Sequence, residues 1–158
     1  MEEQRLTFKD RNHYSRGPWD DEPDRIYWID DETKYPCLMK RNNSGVWCGY
    51  VAVNESHPLY GQDYSEQDIK IHGGLTYAGP CDGDTEKGIC HVKNDNEGEV
   101  YWFGFDCNHG NDLCPLYERY NISGGIFGIY RDEEYVKKEV KYLAKQLKNK
   151  ESKNDESN

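Results

Sequence analysis

The sequence predicts an α+β fold: a small twisted, mainly antiparallel sheet with one C-terminal amphipathic helix packed on it and long polar loops. Three observations lead there. Short runs of aromatic and β-branched residues recur along the chain, separated by stretches rich in Gly, Pro, Asn and Asp, the signature of strands and turns. A single apolar stripe of helical period exists, and it lies near the C-terminus. Strands first and a helix last place that helix on one face of a sheet.

Taken in order, residues 1–24 read as an irregular charged arm interrupted by Gly17-Pro18 and Pro23. Residues 25–148 form one domain, the default for 158 residues. Arg25-Ile26-Tyr27-Trp28-Ile29 is a short strand, and Val46 to Val53 a stronger one. Residues 54–68 contain Pro58 and Gly61 and form a long connection. Ile69 to Ile71 and Leu75 to Ala78 are short strands on either side of His72-Gly73-Gly74. Residues 79–98 are an excursion loop, and Val100 to Asp106 is the best strand candidate in the chain. Residues 107–128 are loop-like, with Ser123-Gly124-Gly125 and Gly128 as breakers. The helix spans about Asp132 to Lys148. Asp132 is its N-cap, Val136, Val140, Leu143 and Leu147 its apolar stripe, and Glu133/Lys137 and Glu134/Lys138 its i,i+4 pairs. Residues 149–158 carry no apolar side chain and read as a disordered tail.

Composition bounds the function. Only 35% of residues are hydrophobic, but 13% are aromatic and 13 are tyrosine, so the core is small and amphipathic. The formal net charge of -10 divides into -5 over residues 1–75, -6 over 76–130 and +1 over 131–158. No basic face is visible, which argues against direct nucleic-acid binding. No apolar run reaches membrane-spanning length, and the N-terminus lacks the apolar core of a signal peptide. These features point to a cytoplasmic protein whose six cysteines are mostly reduced. A homo-oligomer is compatible with the sequence.

Two polar clusters carry the candidate chemistry. In Gly104-Phe105-Asp106-Cys107-Asn108-His109-Gly110-Asn111-Asp112, three side chains able to bind protons or metals recur every third residue after a strand. Asp106, His109 and Asp112, completed by His72 and by His57 as a further candidate, are the donors a divalent metal or an acid–base pair would use. The competing view is turn chemistry, since Asp and Asn bond their own backbone in such segments. In His72-Gly73-Gly74-Leu75-Thr76-Tyr77, paired glycines let the backbone approach a ligand, and Thr76 and Tyr77 add hydroxyls. There the competing view is a tight connection that needs positive φ. The two clusters read as halves of one pocket. Cys81, Cys90, Cys107 and Cys114, with His91 and His109 among them, are numerous enough for a structural zinc, but no Cys-x-x-Cys pair is present. Small buried thiols are the better account. Trp47, Tyr50, Tyr77, Trp102 and Phe105 are core candidates, of which one or two at a strand end suit stacking on a planar ligand.

Several of these segments together resemble a family of small proteins carried by phages and prophages. The matching pieces are Trp47-Cys48-Gly49-Tyr50-Val51, His57-Pro58, His72-Gly73-Gly74-Leu75-Thr76-Tyr77, Trp102 to His109 with Asp112, and Tyr135-Val136-x-x-Glu139, over roughly residues 35–147. The resemblance supplies no catalytic assignment. It implies a phage setting, in which the ligand would be a nucleotide-type signal of host defence. Three functions follow: a protein that binds a small nucleotide- or phosphate-containing ligand through His72, Gly73, Gly74, Thr76, Tyr77, Asp106, His109 and Asp112; a hydrolase of a phosphorylated small molecule with a divalent metal on His72, Asp106, His109 and Asp112; and an acidic protein that blocks a basic host partner.

Overall fold

The computed structural model describes residues 2–93, 97–116 and 128–156. Six strands form one antiparallel sheet: β1 (Gln4–Leu6), β2 (Arg25–Ile29), β3 (Pro36–Arg41), β4 (Trp47–Asn54), β5 (Tyr77–Pro80) and β6 (Val100–Asp106). Their spatial order is β1-β2-β3-β4-β6-β5. The last strand of the chain therefore lies beside β4, and the chain passes β6's place to put β5 on the edge. One helix, α1 (Glu133–Glu156), follows. The α+β layout with a packed C-terminal helix is as the residue pattern indicates, and no described helix is long and apolar enough to cross a membrane.

Alternation along each strand sorts the core into two faces. Ile26, Trp28, Cys37, Met39, Trp47, Val51, Val53, Phe103 and Phe105 face the helix, whose Val136, Val140, Leu143, Ala144 and Leu147 complete this layer. The helix seats closely over β4 because Gly49 has no side chain: a Cβ there would stand 2.6 Å from the Phe105 ring and 2.7 Å from Val140 Cγ2. Leu38, Cys48, Tyr50, Ala52, Val100 and Trp102 form the opposite layer. The segment 81–93 folds over part of it, held by the buried Arg25, whose Nη2 donates to Cys90 O at 2.6 Å and Nε to Gly88 O at 3.2 Å.

The structure departs from the sequence reading in five places. β3 was not anticipated; Cys37-Leu38-Met39 has no β-branched residue, and it is a strand because β2 and β4 pair with it on both sides. Ile69 to Ile71 is not a strand: its backbone turns to the helix, where Lys70 N–H donates to the Gln146 side chain at 2.8 Å. The 1–24 arm is docked, for it contributes β1 and a 3-10 turn at Pro18–Asp21 that buries Trp19. The helix does not stop at Lys148 but continues to Glu156, through residues read as a tail; Glu151 accepts a hydrogen bond from the Tyr35 hydroxyl. Finally, Cys81 and Cys90 are joined in a disulfide, while Cys37, Cys48, Cys107 and Cys114 are buried free thiols. The loop brings the pair together by folding back on itself, Asp82 N–H donating to Ile89 O at 3.2 Å. Disulfides persist chiefly in oxidising surroundings, so this pair is the exception in a set expected to be mostly reduced, of which four of six are free thiols. The Ser123-Gly124-Gly125 breakers lie outside the described residues.

Two outcomes follow for stability. Val140→Ala or Leu143→Ala should each cost about 1–5 kcal/mol, whereas exposed Lys141→Ala should cost little, read from denaturant midpoints; equal losses would mean the helix is not docked by this stripe. The second concerns Glu133, held down to about 2 chiefly by the Arg5 guanidinium and also by Lys137, against an opposing push from burial. Its contribution is present above the unfolded carboxylate value of about 4.3 and is lost as pH falls towards the folded one. Glu133→Gln should flatten that acid limb of the stability curve, and an unchanged limb would show that the Arg5–Glu133 link carries no weight.

Candidate functional site

The two polar clusters meet where β6 ends and β5 begins. Beyond β6 the chain turns: Asp106 Oδ1 accepts the Asn108 N–H at 3.0 Å, and Asp112 N–H donates to His109 O at 2.9 Å. On the neighbouring edge Gly74 N–H donates to Ile71 O at 2.9 Å, and Thr76 N–H donates to Gly104 O at 2.9 Å, binding the glycine turn to β6. Gly73 and Gly74 both have φ in the left-handed region, +68° and +80°. Gly73 has a second constraint: a Cβ there would lie 2.2 Å from His109 Nε2. The turn requires glycine both for its backbone and because the imidazole of the other cluster lies against it.

The inner part is a closed network. His72 Nε2 is 2.8 Å from Asp112 Oδ2, and His72 Nδ1 is 2.7 Å from the Tyr135 hydroxyl. An ionised carboxylate only accepts, so Nε2 donates, and in the neutral ring Nδ1 accepts the tyrosine O–H. Asp112 is buried; its Oδ1 accepts from Arg131 Nε at 2.8 Å and its Oδ2 also accepts the His109 N–H at 3.1 Å. Burial pushes its pKa up, but the hydrogen bonds from His72, Arg131 and the His109 amide outweigh that and leave it below the usual range. Arg131 also stacks on the Tyr135 ring at 4.9 Å. A parallel bridge between Asp112 and Ile129 brings the segment before α1 alongside the turn and so delivers Arg131.

The outer part is open. Thr76 Oγ1 donates to Asp106 Oδ2 at 3.0 Å, and His109 Nε2 lies 3.2 Å from Asp106 Oδ1, off the hydrogen-bonding direction. The His109 ring also meets the His72 ring edge-on, centroids 5.9 Å apart, which links the two parts. Asp106, His109 and Thr76 line a cleft of about 380 Å³ together with Asn42, Cys48, Tyr50, Tyr77, Phe105 and Asn108. Tyr50 and Tyr77 pack edge to face at 5.5 Å beneath it. Burial, and then Asp106, push the Cys48 thiol up to about 12, and burial raises Cys107 as well, so neither supplies a thiolate at neutral pH.

All eight residues proposed from sequence thus gather at one end of the sheet, but in two roles. Thr76, Tyr77, Asp106 and His109 line the cleft; His72 and Asp112 are spent on each other behind it; Gly73 backs His109; Gly74 has open space around it. His57 is elsewhere, its Nε2 2.8 Å from Leu147 O and its ring against Tyr35. Among the described residues no three His, Cys, Asp or Glu side chains are placed to hold a metal ion, and His72 and Asp112 have both nitrogens and both oxygens hydrogen-bonded. The four-cysteine zinc set does not form either, since Cys81 and Cys90 are joined to each other. Sequence reasoning missed Arg131, Asn42 and Asn108. For Tyr135 a signal existed: it flanks the apolar stripe and sits four residues before Glu139, a spacing that puts the two on one helix face.

The interlock of the clusters is testable by stability. Gly73→Ala and Gly74→Ala share the left-handed backbone penalty of about 1 kcal/mol. Gly73→Ala should cost clearly more, and His109→Ala should relieve the excess; equal costs would mean the His109 contact is soft. Compared with models of known families, with curated proteins and with solved structures, the chain matches none.

Proposed function

We propose that this chain binds a small polar ligand of nucleotide or other phosphate-containing type in the cleft bounded by Thr76, Tyr77, Asp106 and His109. The observation that supports it is the division of labour between the two clusters. The inner network satisfies its own hydrogen bonds and holds His109 and the glycine turn in place, while the outer groups face an open hollow. Rigid support behind a polar rim is the arrangement a recognition site needs. The hollow pairs aromatic faces, Tyr50 and Tyr77, with a carboxylate, two carboxamides, a hydroxyl and an imidazole, which suits a planar heterocycle bearing N–H donors. Binding without turnover is favoured because two of the four donors that a metal-dependent reaction would use, His72 and Asp112, are hydrogen-bonded to each other and the nearby thiols stay protonated.

The test is calorimetric titration with the common nucleosides and their 5′-monophosphates. Asp106→Asn and His109→Ala should each weaken the ligand that binds by about tenfold or more, one lost polar contact's worth, at unchanged melting temperature. No binding from either compound series would sink the proposal.

A further inference from the structure

Beyond the rim residues, Lys40 stands beside the cleft residue Cys48 in the sheet register, and Lys9 lines a neighbouring hollow with Tyr14 and Asn43. Lys40, Cys48 and Asp106 stand opposite one another across β3, β4 and β6, in the pairings Lys40↔Cys48 and Cys48↔Asp106. Alternation puts Lys40 on the same face as Leu38, Cys48 and Tyr50, the face that bears the cleft. Strand spacing sets the Lys40 and Asp106 backbones about 10 Å apart, comparable with the length of a nucleoside monophosphate. Lys9 is brought to the same corner by its backbone: its N–H donates to Asp24 Oδ2 at 2.7 Å, and Asp24 O accepts the N–H of Arg41, the residue after Lys40. Its Nζ is 3.4 Å from Asn43 Oδ1, next to the cleft residue Asn42.

The charge balance at this corner is unusual for an acidic chain. Neither Lys9 nor Lys40 forms an ion pair among the described residues. The nearby acids are spoken for: Asp24 pairs with Arg11 and Arg41, Glu22 with Arg41, and Asp10 caps the Asn12 amide at 2.9 Å. Burial lowers the Lys9 ammonium, and the neighbouring Lys40 charge lowers it further; both lysines also act on the Cys48 thiol in the cleft. Lys9 and Lys40 repel each other, with Asp24 offsetting this at Lys9, and an anion placed near both relieves that repulsion. At the other end of the row Asp106 would repel a phosphate and attract N–H donors. The cleft is therefore polar in one direction, acceptor at β6 and cation at β3.

We propose that Lys9 and Lys40 are the phosphate subsite of this cleft, so that it takes a nucleotide with its base against Tyr50, Tyr77 and Asp106 and its phosphate on the two ammonium groups. This rests on the cleft being the ligand site, and it adds the orientation and the residues that read the phosphate.

The experiment compares each nucleoside with its own 5′-monophosphate by calorimetry, in native protein and in Lys9→Met, Lys40→Met and the double variant. In the native protein the monophosphate should bind about tenfold or more tightly than its nucleoside, and the gap should narrow as salt rises from about 50 to about 300 mM. The double variant should close the gap to about threefold or less while leaving nucleoside affinity and melting temperature unchanged. If nucleosides bind but the phosphate adds nothing, or the gap survives the double variant, the subsite is overturned and the binding function stands. If neither series binds, both fall together.

Discussion

A buried guanidinium organises this protein. Arg41, at the end of β3, is 1% exposed and lies over the Trp47 ring at 4.3 Å. Its Nη1 donates to Gly45 O at 2.7 Å and to the Tyr130 hydroxyl at 2.9 Å, its Nη2 donates to Pro23 O at 3.0 Å, and its Nε stands 3.4 Å from Asp24 Oδ1. A charge taken out of water costs several kcal/mol unless its surroundings replace the lost solvation. Carbonyls, carboxylates and an aromatic face do so here, and they come from the N-terminal arm, the β3–β4 turn and the segment before the helix. Glu22 extends the cluster: it accepts from Trp47 Nε1 at 3.2 Å, from the Tyr130 hydroxyl, and from the first helical amide, Glu133 N–H, at 2.7 Å.

The position of the cleft depends on this cluster from two directions. Fixing Tyr130 and Glu133 fixes the start of the helix, which carries Arg131 and Tyr135 to Asp112 and His72. Fixing Asp24 and the end of β3 places Lys40 opposite Cys48 and Lys9 against Asn43. Both neighbourhoods of the cleft are thus set by one buried ion and its partners. Asp24 remains ionised within it: burial pushes its carboxyl up, but the Lys9 and Phe8 amides and Arg11 pull it further down.

The histidines illustrate how environment assigns role. His72 has both ring nitrogens engaged and sits behind the cleft, where it ties the helix to the turn. His109, three residues from each aspartate, has its Nε2 buried against Gly73 and Asp106 while the ring as a whole remains partly exposed to the cleft. His57 serves the far end of the helix, and His91 pairs with Glu97 at 2.8 Å under the disulfide-bearing loop. Identical side chains are divided between fastening the fold and lining the cleft by what the fold places beside them.

Local pattern by itself determined much of this. The limits of β2 and β6 and the helical stripe from Val136 to Leu147 were legible because alternation and 3.6-residue periodicity depend only on neighbours along the chain. The convergence of the 72–77 and 102–112 clusters was legible too, as each sits at the polar end of a strand. What only the tertiary structure decided depended on partners far away in sequence. β3 is a strand because two others flank it, and the N-terminal arm is ordered because Arg41 needs its carboxylates. The helix runs on to Glu156 and reaches back to Tyr35, while Cys81 and Cys90 meet because the loop between them doubles back. The division of the eight site residues into a locked network and an open rim was likewise invisible, since Arg131 and Tyr135, which occupy Asp112 and His72, come from the segment before the helix and from its first turn. Hydrogen-bond partners of that kind are set by packing in three dimensions, and no spacing along the chain encodes them.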